Sequence, residues 1–169
     1  INPHKVKGID TFLEVARRLP EQTFLLVESW KLSDDALGAL HSRLSELPNV
    51  RFQHRVSDMR EIYRQTRLLL VPSVWEEGFG MVAVEAQSCG IPVIASARGG
   101  LPESVGDGGI LIQDYLNVQT WLDAMHSILD DEANYGAWSA LALQHARSPD
   151  FDPDELARRF LAICASPLP

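Results

Sequence analysis

The chain has little of what marks the specialised protein classes. Two cysteines in 169 residues, Cys89 and Cys164, are too few for a disulfide-built scaffold. Both read as small buried apolar residues of a reducing compartment. No apolar run approaches the ~20 residues of a membrane helix, so no transmembrane segment is expected. Basic charge is in deficit: the net charge is −8, which argues against a nucleic-acid partner or an anionic membrane surface. The five histidines, His4, His41, His54, His126 and His145, show no ligand spacing, and no metal site is expected. No internal repeat, low-complexity linker or charged-then-apolar leader is read. A Gly-x-Gly-x-x-Gly pattern does not follow the first strand, which counts against a nicotinamide or flavin dehydrogenase.

What is present is an alternation of short apolar runs and helical periods. Hydrophobic residues make up 46% of the chain, with charges of both signs interspersed, as in one folded domain spanning residues 1–169. Ile1-Asn2 reads as the tail of a strand. Strands are then expected at 23–27, 50–53, 68–71, 91–95 and 110–113, followed by helices near 118–129 and 133–146. Alternating strands and helices predict an α/β fold. Its expected form is a doubly wound, Rossmann-like parallel sheet of about six strands, in the order 3-2-1-4-5-6, with helices on both faces. Strands one and four are then neighbours, and a crevice opens at their carboxyl ends.

The stretch Val71 to Ala95 carries the chemistry. An apolar run ends at Pro72, a glycine-bearing turn follows to Gly80, and a helical pattern begins at Met81. Gly78 and Gly80 allow a ligand close to the backbone. The amides of Gly80, Met81 and Val82 lie at a helix start, where anions are favoured. Glu77 and Glu85, with seven residues between them, offer carboxylate oxygens to hydroxyl donors. Phosphate at the amides and hydroxyls at the acids together suit a sugar nucleotide.

The string EEGFGMVAVEAQSCGIPVIASARGG closely resembles the signature of retaining GT-B glycosyltransferases of the group 1 (family 4-like) type. The resemblance covers most of the chain, as the C-terminal, donor-binding half of such enzymes. It implies that Glu77 contacts the donor sugar, Glu85 the ribose, and Lys7, in its Lys-Gly pair, the diphosphate. Gly78 and Phe79 would lie along the sugar, and Arg55 and Val56 beside the nucleobase. Lys7 and Glu77 are thus the catalytic candidates; Glu85, Gly78, Phe79, Gly80, Met81, Val82, Arg55 and Val56 are the donor-binding ones. Asn2 stands where the family often has an arginine, leaving Lys5 or His4 to compensate. The expected substrate is a nucleotide-diphosphate sugar, with no cofactor. The acceptor, a sugar or lipid-linked glycan, would be met through an N-terminal domain absent from these residues. The chain alone would therefore bind donor without efficient turnover. A role in polysaccharide or glycoconjugate biosynthesis is implied, in the cytoplasm or peripherally at the inner membrane face. A non-catalytic module docking to a partner chain, and an epimerase or phosphorylase of the same architecture, remain open.

Three smaller expectations follow. Arg98-Gly99-Gly100 reads as a turn where the backbone again approaches the donor. Trp30, in Glu28-Ser29-Trp30 where relatives have a glycine-rich turn, reads as a lid over the core edge rather than as a base-stacking platform. The twofold Asp-x-Asp pattern of Asp150, Asp152 and Asp154 does not read as a metal motif: Asp152 reads as a helix cap, with Pro153 at the first helical position and Glu155 completing a capping box, and the last helix is expected packed on its own domain edge or detached.

Overall fold

The short apolar runs become strands and the periodic stretches become helices. A computed structural model of the chain describes residues 3–165. The elements run α1 (Ile9–Arg18), β1 (Phe24–Val27), α2 (Asp34–Leu44), β2 (Val50–Gln53), α3 (Arg60–Tyr63), β3 (Leu69–Val71) and α4 (Met81–Ser88). They continue with β4 (Val93–Ser96), α5 (Leu101–Val105), β5 (Gly109–Ile112), α6 (Val118–Leu129), α7 (Glu132–Ala146) and α8 (Pro153–Ala165).

All strand pairings are parallel. β1 pairs with β2, Phe24 opposite Val50, and β3, β4 and β5 form a second sheet with Leu69 opposite Val93 and Val93 opposite Gly109. These pairings agree with the expected order. The described residues hold five strands where about six were expected, and the first expected strand, at Ile1-Asn2, lies outside the described residues. A cavity of about 500 Å³ lies between β1 and β3, lined by Phe12, Phe24, Leu25, Leu70 and Met125 among others. Its lining includes none of Lys7, Glu77 or Gly80.

Successive strand residues point to opposite faces, and the core divides accordingly. Leu70, Ile94 and Ile112 pack with α1 and α6 through Phe12, Leu13, Trp121 and Met125. Val71, Val93 and Ala95 pack with α4 and α5 through Ala83, Ala86, Leu101 and Val105. Helices therefore cover both faces, and the loops after the strands are left at one edge.

Polar side chains start several helices. Ser33 accepts from the Ala36 amide, Asn117 from Gln119 and Asp152, as expected, from Glu155. At α3 Asp58 accepts from the Arg60 amide, and the helix is a single turn, because only Ile62 and Tyr63 of that segment find core to bury against. The cysteine expectation is corrected: both are exposed. Cys89 sits where α4 turns away towards Gly90, and Cys164 lies on α8, which buries no residue. The apolar side chains Leu156, Phe160, Leu161 and Ile163 of α8 are all exposed, so the helix stands off the domain. Among the described residues no helix is long and apolar enough to cross a membrane.

Candidate functional site

The edge where the strands end gathers the expected groups. The segment before α1 is a single 3-10 turn, Lys5–Lys7, pinned against the loop that leaves β3. The Val74 amide donates to the Val6 carbonyl at 3.0 Å, and Ser73 Oγ lies 3.1 Å from the same oxygen. Gly8 closes the contact. Its φ is +76°, and a Cβ there would stand 1.7 Å from the Pro72 carbonyl oxygen. Two segments far apart in sequence are thereby held side by side.

Their side chains meet. Lys7 Nζ donates to both carboxylate oxygens of Glu77, at 2.6 and 2.8 Å. Ser73 Oγ lies 2.6 Å from Glu77 Oε1, so the acid is held from two directions. The side chains of Lys7 and Glu77 are 22% and 14% exposed, which leaves the pair reachable but largely shielded from screening. Ser73 was not singled out from the sequence, although its place directly after Pro72 at a strand end is a usable signal.

Beyond Glu77 the loop turns into α4. Gly80 takes a left-handed conformation, φ +84°, and no side chain caps the helix. The first-turn amides are thus left without a side-chain partner. Gly78 is exposed, and a Cβ on it would meet no atom within 4 Å. Nothing in the protein's own packing requires glycine there, whereas Gly80 could not gain a Cβ without meeting Leu101 Cδ2 at 2.6 Å. Phe79 turns its ring onto Phe151, centroids 5.9 Å apart. Met81 and the partly buried Val82 open α4, and Glu85, one turn on from Met81, shares its exposed face.

Glu85 has a partner the sequence did not reveal. Tyr63, at the end of α3 and buried, donates its hydroxyl to Glu85 Oε2 at 2.8 Å. Burial first, and then this hydrogen bond, push the Tyr63 phenol above its ordinary range, so it stays a donor. Among the described residues no hydrogen bond joins Glu85 to Lys7 or Glu77; α4 alone connects them.

The Gly99-Gly100 turn packs its backbone against the loop of Glu77 and Gly78, while Gly99 stays exposed. The Gly100 amide donates to the Glu77 carbonyl at 2.7 Å, and a Cβ at Gly100 would stand 2.4 Å from the Gly78 carbonyl oxygen. Arg98 joins Glu76 to Tyr115 from the same turn. This turn braces the loop from behind.

The other side of the cleft is built from β1 and β2. Arg55 is exposed and Val56 partly buried on the loop after β2. That loop is tied to the one after β1 by Glu28, which is buried, accepts from the Leu32 amide at 2.8 Å and lies 3.0 Å from His54 Nδ1. The Leu32 amide, then His54, hold the Glu28 carboxyl below its usual range. Trp30 is not the core lid expected: it is 62% exposed, with Lys7 Nζ 5.6 Å from its ring centre. Asn2 lies outside the described residues. Lys5 is exposed, and His4 is engaged in accepting from the Val6 amide, so neither is drawn into the Lys7–Glu77 cluster. Among the described residues, no three or more His, Cys, Asp or Glu side chains are grouped to hold a metal.

Known proteins resemble this chain in sequence and in fold. The family model described as glycosyl transferases group 1 matches residues 3–144. The D-inositol 3-phosphate glycosyltransferase of Mycolicibacterium smegmatis is 36% identical over 149 residues, 83% of this chain and 33% of that protein. That of Mycobacterium leprae is 36% identical over 158 residues, 87% of this chain and 36% of that protein. Among solved structures, Anabaena Alr3699/HepE in complex with UDP and glucose matches with a TM-score of 0.83 at 25% identity, over 98% of this chain and 46% of that one. The chain thus spans about a third of the length of these curated relatives and about half of the solved neighbour. With a family model running through most of its residues and such identity to curated members, this chain belongs to the group 1 glycosyl transferases.

Proposed function

We propose that the chain is the donor-binding half of a retaining glycosyltransferase that uses a nucleoside-diphosphate sugar. The observation that carries this reading is Lys7 Nζ at 2.6 Å from Glu77, beside the uncapped start of α4. Without donor, the lysine and the acid hold each other in place. A donor would exchange that pairing for two of its own: the diphosphate takes the ammonium, and the sugar hydroxyls take the carboxylate.

As the glycosidic bond breaks, negative charge grows on the departing diphosphate. Lys7 and the amides of Gly80 to Val82 are fixed beforehand where that charge would form, so little reorganisation is needed in the transition state. This supply of positive potential makes a metal cofactor unnecessary in our reading. Gly78, with open space where a Cβ would stand, admits the sugar edge to the main chain. The Phe79 ring is engaged with Phe151, so in this reading its contribution is main chain. Glu85 holds the ribose and Arg55 and Val56 flank the base. The acceptor, a sugar or lipid-linked glycan, meets the donor through a second domain, at a cytoplasmic site of action.

Calorimetric titration of UDP, ADP and GDP into the wild type, Lys7→Ala and Glu85→Gln tests this. Losing a hydrogen bond to a charged group costs about 1.5–3 kcal/mol, roughly ten- to hundred-fold in affinity. Each variant is expected to weaken the tightest nucleotide by that factor. Wild-type protein that binds none of the three would sink the reading; unchanged affinity in Glu85→Gln would remove that acid from the ribose.

A further inference from the structure

The Gly78-Phe79-Gly80 loop has one side chain to be held by. Its two glycines widen the conformations open to the main chain, so its shape depends on what the Phe79 ring meets. That ring lies against Phe151, with centroids 5.9 Å apart and planes at 59°. Phe151 ends a 3-10 turn, Pro149–Phe151, between α7 and α8. The turn is itself fixed. His145, in the last turn of α7, meets the Phe151 ring in a T-shaped contact at 5.1 Å. The His145 ring is seated on Gly106, where a Cβ would stand 2.1 Å from its Cε1. The Phe151 amide donates to the Ser148 carbonyl at 2.9 Å, and Arg159 of α8 donates to Asp150 at 2.7 Å. A line of contacts therefore runs from the turn before β5, through His145 and Phe151, to Phe79 in the site loop. The same loop is met at its glycines by Gly100, against Gly78, and by Leu101, against Gly80. Phe151 supplies the contact at the residue between them.

We propose that Phe151 is a positioning residue for the donor. By holding the Phe79 ring it sets the main chain from Gly78 to Gly80, which meets the sugar and the diphosphate. The proposal rests on the donor-binding reading above. An aromatic pair adds attraction beyond the area it buries. Removing Phe151 frees the Phe79 ring to turn, and the flanking glycines offer little resistance to the main chain following it. The loop is thus latched by a segment that follows the sheet, not only by the strands that carry the rest of the site.

The test is calorimetry of UDP on wild type, Phe151→Ala, Phe151→Tyr, Phe79→Ala and the Phe79→Ala/Phe151→Ala double variant, each checked by thermal melt. Phe151→Ala is expected to weaken UDP about two- to ten-fold. Phe151→Tyr keeps the ring and should stay within about two-fold of wild type. In the Phe79→Ala background, Phe151→Ala should cost nothing more, as a double-mutant cycle measures. Should Phe151→Ala fail to fold, Phe151→Leu keeps apolar bulk without the aromatic face and is expected to change affinity in the same direction. A lower melting temperature with UDP affinity unchanged overturns the proposal and leaves the donor reading standing, since Phe151 would then serve packing alone. An equal loss with and without the Phe79 ring also overturns it. Amide NMR signals give a readout that needs no donor: those of Gly78 and Gly80 should shift in Phe151→Ala, and unmoved signals count against the latch. A wild type that binds no UDP sinks the donor reading and the proposal together.

Discussion

The two sides of the cleft are held by different means. On the β3–α4 side the leading supports are main chain, with the Ser73 and Arg98 side chains added: the Val6 and Val74 pairing, Gly8 against Pro72, and Gly100 against Glu77 and Gly78. On the β1–β2 side they are side chains: Glu28 to Leu32 and His54, and Asp58 to Arg60. Backbone struts tolerate changes of side chain as long as the glycines remain, so one loop geometry can persist through wide sequence divergence. Side-chain struts are particular to the residues that make them. In the proposed reading the first side meets the diphosphate, the sugar and, through Glu85, the ribose; the second meets the base, where donors differ.

The sharpest way to break this comparison is to put a methyl group in turn on two glycines of the backbone-built side. Gly8→Ala must take a left-handed backbone, costing about 1–2 kcal/mol, and must also push against the Pro72 carbonyl, an overpacking cost of about 1–3 kcal/mol. Together these predict a melting temperature lower by roughly 5–15 °C. The contrast is Gly78→Ala, whose added carbon meets no protein atom. It should melt within about 2 °C of wild type while losing nucleotide-sugar affinity. Near-native melting of Gly8→Ala would show that the backbone contact is not what sets the loop.

The same division explains what could be read from the sequence. Strands and helices were legible because apolar periodicity reports burial directly: Leu70 and Val71 alternate between two helical layers, and Trp121, Met125 and Ile128 recur on one face of α6. The loop from Ser73 to Gly80 was legible because glycine and acid spacing at a strand end leaves few chemical alternatives. What resisted reading depends on contacts between distant elements. The Tyr63–Glu85 bond spans 22 residues and two helices. The packing of the glycines at 99 and 100 against Glu77 and Gly78 was not legible, because a missing Cβ does not say which neighbour needs the space. Trp30 looked like a lid over the core edge because an indole offers much area to bury, and periodicity does not show how the turn after β1 is anchored through Glu28.

A smaller effect separates placement from contact. Tyr63→Phe keeps the buried ring and removes only the hydroxyl that directs Glu85. One net hydrogen bond contributes about 0.5–1.5 kcal/mol, so nucleotide affinity should fall roughly two- to ten-fold. If Tyr63 acts by positioning the acid, that loss should vanish when Glu85→Gln is already present, as a double-mutant cycle measures. A loss of the same size in both backgrounds would mean that Tyr63 serves packing and not the acid.

The smallest effect lies in acid, and it belongs to the side-chain-built half. Asp58 accepts from the Arg60 guanidinium and from the Arg60 amide, and these hold its carboxyl at about 2, against an ordinary 3.8. A carboxyl whose folded value is depressed stabilises the fold above its unfolded value, and that contribution drains away as pH falls towards the folded one. The window is therefore about pH 4 down to about pH 2. Asp58 is open to solvent, so salt screens its pairing and the effect is slight. Urea midpoints of wild type and Asp58→Asn should differ a little at pH 6 and converge as pH approaches 2. Gly8→Ala has no titrating group at the altered position, so its deficit should persist across the same range. A deficit in Gly8→Ala that shrank in step with that of Asp58→Asn would mean that the two sides of the cleft are held as one unit.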